Sequence, residues 1–180
     1  MSKTEENLKA AFAGESQARN KYDFFAKVAR KEGYHYIAKI FEETALNEQQ
    51  HAKEEFKLLK GISNTADNLK SAIEGEGYEH REMYPNFAKD AEKEGKITAA
   101  KLFKEIGPIE KEHEERYIKL LKMVTDKTVF KRKKAIVWRC SKCGHIHYGT
   151  EPPKVCPVCK HAREYFEPAC MCFKDDCDCC

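Results

Sequence analysis

No cysteine occurs before Cys140 in this 180-residue chain, whereas nine fall from Cys140 onward. That absence divides the sequence chemically and implies a boundary near residue 130, with one domain of about 100–150 residues followed by a mini-domain. Long apolar runs are missing too. No stretch of 18 or more apolar residues occurs, and Met1-Ser2-Lys3-Thr4-Glu5-Glu6 has no apolar core behind a basic cluster, so neither a membrane span nor an export signal is expected. A cytoplasmic location is the corresponding expectation, and in a reducing compartment clustered cysteines are metal ligands before they are disulfides. Charge of one sign is also scarce: 33 basic residues against 30 acidic ones leave +3. This balance points to no nucleic-acid or membrane partner, and Lys131-Arg132-Lys133-Lys134 reads as a solvated linker.

Glycine and proline are confined to a few places between residues 4 and 126, a region rich in Ala, Leu, Glu and Lys. Such composition reads as long helices. Gly33, the stretch from Gly61 to Asp67, and Gly95 divide the region into four pieces of about 25–30 residues. Two segments repeat without gaps at an offset of 62. Phe25-Ala26-Lys27, Ala29 and Lys31-Glu32-Gly33 recur as Phe87-Ala88-Lys89, Ala91 and Lys93-Glu94-Gly95. Likewise Phe41, Glu48 and His51 recur as Phe103, Glu110 and His113. Upstream the offset is 61, with Gly14-Glu15 answering Gly75-Glu76. The region is a duplicated helical hairpin whose third helix holds one extra residue. An inserted residue is commonly absorbed as a π-bulge, so an irregularity is expected between Glu79 and Phe87.

Carboxylates stand where a core belongs. Leu8, Ala11, Phe12, Ala18, Tyr22, Phe25 and Ala29 form an apolar stripe at helical spacing, and Glu15 falls inside it. Glu48 and His51, Glu76 and Glu79, and Glu110 and His113 occupy comparable stripes, each pair three apart and so on one helix face. Five carboxylates sharing an interior need cations between them, because an unpartnered buried ion costs several kcal/mol. Two trivalent ions nearly cancel the charge, and one does not. A Glu on each of two helices with Glu-x-x-His on the other two is the constellation of a di-iron or di-manganese site in a four-helix bundle. His80 should point away from Glu79, and His35 lies at a helix start; neither is expected to be a ligand.

From Trp138 the texture changes to short β-type runs and turns. Cys140-Ser141-Lys142-Cys143 and Cys156-Pro157-Val158-Cys159 are two Cys-x-x-Cys turns separated by 12 residues. Each presents two thiolates and together they close a tetrahedron around one metal. So small a module buries little core, and the metal must supply folding energy. Iron is the expected occupant, able to feed electrons to the first site, with zinc as a substitute. Cys170, Cys172, Cys177, Cys179 and Cys180 form an unassigned tail over residues 169–180.

Gly14-Glu15, Asn47-Glu48-Gln49-Gln50-His51, Glu76-Gly77-Tyr78-Glu79 with Met83-Tyr84-Pro85, Glu110-Lys111-Glu112-His113-Glu114 and the two cysteine turns resemble those of the rubrerythrin family. The resemblance runs from Glu5 to Pro168. It implies a ferritin-like antiparallel four-helix bundle over residues 1–130 and a rubredoxin-like iron domain over 131–168. The activity implied is reduction of hydrogen peroxide to water by a carboxylate-bridged di-iron centre. Electrons would pass through the four-cysteine iron from an NAD(P)H-dependent reductase or from rubredoxin, in a head-to-tail homodimer. By position, Glu48 and Glu110 would bridge, Glu15 and Glu76 would be terminal ligands, and His113 would hold the second iron. Glu79 and His51 would alternate on the first iron with its oxidation state, and Tyr22 and Tyr84 would donate hydrogen bonds to ligating glutamates. The alternative reading of the same bundle is ferritin-like iron oxidation and storage.

Overall fold

The computed structural model describes residues 2–170. The tail cysteines Cys172, Cys177, Cys179 and Cys180 lie outside the described residues. The chain is mainly helical with a small antiparallel sheet near its C-terminal end, and it divides into two compact units, Met1–Ser63 and Asn64–Cys180.

The first unit is a helical hairpin of α1 (Lys3–Lys31) and α2 (His35–Leu58). Ser2 caps α1 by accepting from the Glu5 amide at 3.2 Å, with Glu5 and Glu6 in the first turn and Arg30 and Lys31 in the last. Both charge placements suit the helix dipole. Gly33, at φ +87°, ends the helix. Ala26, Ala29 and Ala38 are buried with Phe41 against them, small residues that let the two helices approach closely.

The second unit opens with α3 (Thr65–Tyr78), started by Asn64 accepting from the Asp67 amide at 3.0 Å. A π-helical turn over Glu79–Met83 follows, then α4 (Tyr84–Lys93) and α5 (Ile97–Thr125). The irregularity thus falls inside the expected interval. A two-residue Glu94-Gly95 turn, with Gly95 at φ +70°, matches the turn at Gly33.

The duplication extends to contacts. Phe25 and Phe41 stand 5.6 Å apart between ring centroids, and so do Phe87 and Phe103. Tyr22 and Phe41 are 6.1 Å apart, as are Tyr84 and Phe103. Ala26, Ala29 and Ala38 are buried, and so are Ala88, Ala91 and Ala100. Arg30 pairs with Glu42 across the first hairpin, and at the equivalent positions Glu92 pairs with Lys104, the charges exchanged.

The cysteine module carries β1 (Ile136–Cys140), β2 (Ile146–Gly149) and β3 (Phe166–Pro168) in the order β2-β1-β3, all antiparallel. Its core is Trp138, Cys140, Cys156 and Phe166. Trp138 is fully buried and donates from its indole nitrogen to the Gly149 carbonyl at 2.9 Å. Among the described residues no helix is long and apolar enough to cross a membrane.

Candidate metal centres

In the first hairpin α1 presents Glu15 to Glu48 and His51 of α2. His51 Nδ1 lies 2.9 Å from Glu48 Oε2 and 4.0 Å from Glu15 Oε1. A hydrogen bond with Glu48 raises the Glu15 carboxyl above its usual range, with desolvation adding to the effect. In the second unit His113 Nδ1 lies 2.7 Å from Glu110 Oε2 and 3.4 Å from Glu76 Oε2. Desolvation, then a hydrogen bond with Glu110, raises Glu76 likewise. Each hairpin thus gathers two carboxylates and one imidazole whose candidate ligand atoms lie within 4.8 Å of one another. Carboxylates forced to share a proton mark a place where a cation would relieve the repulsion, and hard oxygen donors with one imidazole suit iron.

These groups are less enclosed than the stripe pattern implies. Glu48 and Glu110 keep 16% and 14% of their side-chain surface exposed, whereas His51 keeps 59%. Two helices cover only the strip along which they meet, so ligands beside that strip remain partly open.

Glu79 is the first residue of the π turn and is half-buried. It lies outside the tight Glu76, Glu110 and His113 group. Tyr84 registers it nonetheless: burial, then the fields of Glu110, Glu79 and Glu76, push the Tyr84 phenol up, so it stays protonated. Tyr22, its counterpart, packs against Phe25 and Phe41. His35 is exposed at the start of α2. His80 faces Glu114, its Nε2 2.7 Å from Glu114 Oε2. Arg81 Nη1 also donates to Glu114, at 2.7 and 2.9 Å. Sequence reasoning assigned no role to Glu114, although one signal was present: the residue aligned with it in the repeat is the buried Ala52.

In the cysteine module Cys140 Sγ lies 3.7 Å from Cys159 Sγ, and Cys143 Sγ lies 3.7 Å from Cys156 Sγ. A tetrahedron of thiolates with metal–sulfur bonds of about 2.3 Å has edges of about 3.8 Å, so the four sulfurs are spaced for one ion. The two turns are built alike. Cys140 and Cys156 amides donate to the His145 and His161 carbonyls, both at 2.8 Å, while Gly144 and Lys160 amides donate back to Cys140 and Cys156. The Cys143 thiol is pushed up to about 12, its backbone hydrogen bond at His145 being outweighed by desolvation and the three other thiols. Desolvation opposes ionisation of Cys156, but backbone hydrogen bonds from Cys159 and Val158 and the neighbouring thiols bring it down to about 7. One thiolate in the cluster therefore forms readily, a foothold for a cation.

Duplicated carboxylate–imidazole groups and, on the same chain, a four-thiolate cluster define a protein with two kinds of metal-binding donor set. The family models agree: residues 6–121 match "Rubrerythrin" and residues 138–167 match "Rubrerythrin, rubredoxin-like domain". A putative rubrerythrin of Methanocaldococcus jannaschii is 47% identical, with 94% of each chain covered. The rubrerythrin of Porphyromonas gingivalis is 47% identical over 93% of this chain and 90% of its own. That of Nitratidesulfovibrio vulgaris is 42% identical over 92% and 94% respectively. The chain belongs to the rubrerythrin family. Its cofactor complement is accordingly a carboxylate-held iron pair and one thiolate-held iron, for which both sets of donors are present.

Proposed function

We propose that this chain is a cytoplasmic peroxidase that reduces hydrogen peroxide to two waters, consuming two electrons and two protons. The observation that carries the reading is the pair of matching triads, Glu15-Glu48-His51 and Glu76-Glu110-His113, on the same polypeptide as the Cys140-Cys143-Cys156-Cys159 cluster. Glu15, Glu48, His51, Glu76, Glu79, Glu110 and His113 would hold the iron pair, with Glu48 and Glu110 serving both metals, Glu15 and Glu76 one each, and Glu79 and His51 exchanging on one. Bound iron would supply the paired one-electron chemistry that two-electron reduction of a peroxide O–O bond needs.

The remaining work belongs to the side chains. In the metal-free chain Glu15, raised by Glu48, and Glu76, raised by desolvation and then by Glu110, hold a proton more readily than ordinary glutamates and would release it as iron binds. Tyr84, kept protonated by burial and then by the acidic field, would donate to a ligating carboxylate and fix its orientation. The four thiolates would hold one iron, which would supply one-electron transfer from an NAD(P)H-linked reductase or rubredoxin in a head-to-tail homodimer. The helical region over residues 1–130 and the iron module over 131–168 divide these tasks.

Iron counting tests the shared centre. Glu110→Ala should lower carboxylate-bound iron by about two per chain and leave the thiolate iron, because a bridging ligand serves both metals; loss of only one would mean two independent sites. Peroxide should then reoxidise the ferrous wild-type chain far faster than dioxygen does. Faster oxidation by dioxygen, with iron accumulating beyond the complement of these sites, would instead establish the ferritin-like iron-oxidising role.

A further inference from the structure

Glu114 is the one charged residue buried among the described residues, with 9% of its surface exposed. From α5 its carboxylate accepts from Arg81 Nη1 through both oxygens, at 2.7 and 2.9 Å, and meets His80 Nε2 at 2.7 Å. His80 and Arg81 are consecutive residues of the π turn and directly follow Glu79. A single carboxylate on the facing helix therefore grips both residues next to that glutamate.

The grip depends on a missing side chain. A Cβ on the buried Gly77 would lie 2.0 Å from Arg81 Nη2 and 2.5 Å from Glu114 Oε1. Both charged groups occupy the space over the bare backbone of α3, two residues before the π turn begins.

The duplication supplies an internal control. In the first hairpin α1 runs unbroken over Lys3–Lys31, without an inserted residue. There the residue equivalent to Glu114 is Ala52, buried and without charge, and the one equivalent to Gly77 is Ser16. The carboxylate grip and the π turn occur together in one half and are both absent from the other. A π turn is rare, local and frequent at functional sites.

We infer that Glu114 is a positioning residue: by holding His80 and Arg81 over Gly77 it fixes the π turn and so the placement of the Glu79 carboxylate. The inference rests on the proposed role of Glu79 as an iron ligand.

The test uses the full, iron-loaded chain with Glu114→Ala and the conservative Glu114→Gln. Removing a charge-assisted anchor should speed amide hydrogen exchange at residues 79–83 by about tenfold or more while leaving α1 and α2 unchanged. The visible absorption of the oxidised iron pair should shift, and kcat for peroxide should fall about tenfold with KM little altered, as expected for a misplaced rather than a missing ligand. Glu114→Gln should recover part of each effect. Should Glu114→Ala not fold, Arg81→Met removes two of the three contacts from an exposed side chain and should show the same signature in smaller degree. Unchanged exchange at 79–83, or faster exchange with an unaltered spectrum, overturns the inference. If the wild-type chain binds iron but turns over no peroxide, the proposed activity has failed, and exchange and absorption still decide the role of Glu114.

Discussion

Glu15 and Glu48 bring carboxylate oxygens within 4.8 Å of one another, and the Glu48 carboxyl raises that of Glu15 above its ordinary range. Glu76 and Glu110 repeat it in the second hairpin. In the metal-free chain the folded state therefore binds more protons than the unfolded one at pH values above the ordinary carboxylate value of 4.5. Stability then falls as pH rises through the raised values, because it declines wherever the native state holds the extra protons. Iron binding has the opposite sign, since protons compete for its ligands. Melting curves of metal-free protein should move down by a few degrees from about pH 5 to pH 7, whereas the increment added by iron should grow. A Glu15→Gln, Glu76→Gln double variant should flatten the metal-free slope; an unchanged slope would locate its origin elsewhere.

The sulfurs of Cys143 and Cys156, and those of Cys140 and Cys159, are each 3.7 Å apart, two opposite edges of a tetrahedron with the four thiolates at its corners. The buried cluster of the module is Trp138, Cys140, Cys156 and Phe166, with Ile136 and Cys159 packed against it. Structural metal contributes about 10–16 kcal/mol in modules of this size, far more than four buried side chains supply. Cys156→Ser should release the metal and unfold the module while α1–α5 persist. Trp138, the chain's single tryptophan and fully buried, reports it directly: its emission should shift to the red in the variant, and in wild type on chelation. Peroxide turnover with a reductase should fall to background in the same variant. Unshifted emission after complete metal loss would show that the module folds on its own.

The duplication, both triads, the four thiolates and the place of the π turn were legible because each depends on residue type at fixed spacing. Glu15, Glu48 and His51 recur as Glu76, Glu110 and His113, so an alignment of the chain on itself exposes them. Other features were silent for physical reasons. Arg30–Glu42 recurs as Glu92–Lys104 with its charges exchanged, which a comparison by identity passes over though the contact is kept. Glu114 lies in the polar run Glu110-Lys111-Glu112-His113-Glu114-Glu115, where one more acid looks solvated; only the contact across to His80 and Arg81 shows it to be buried. The degree of exposure was also beyond the stripe pattern, which identifies an apolar face without stating what covers it.

Asn64 fixes where α3 begins, five residues after α2 has ended in Leu59, its side chain accepting from the Asp67 amide. Loss of such a cap costs about 0.5–2 kcal/mol. Asn64→Ala should therefore lower the thermal midpoint by a few degrees and speed amide exchange in the first turn of α3. Because that turn is remote in sequence from Glu76, iron content should be retained. Asn64→Asp, which keeps the acceptor, should behave like wild type, and equal losses in both variants would remove capping as the explanation.

Gly144 and Lys160 hold equivalent places at the ends of the two cysteine turns, at φ +77° and +60°. The left-handed conformation is free for glycine and costs other residues about 1–2 kcal/mol, so the second turn carries a strain that the first avoids. Gly144→Ala should destabilise the metal-loaded module by about 1 kcal/mol. Lys160→Gly removes strain but loosens the unfolded chain, which offsets part of the gain, so its net effect should lie between neutral and about 1 kcal/mol stabilising. Chelator titration followed by Trp138 emission measures both: Gly144→Ala should release metal at lower chelator concentration and Lys160→Gly at the same or a higher one. The opposite order would mean that the Lys160 side chain, whose Nζ donates to the Pro157 carbonyl at 2.8 Å, contributes more to the turn than its backbone strain removes.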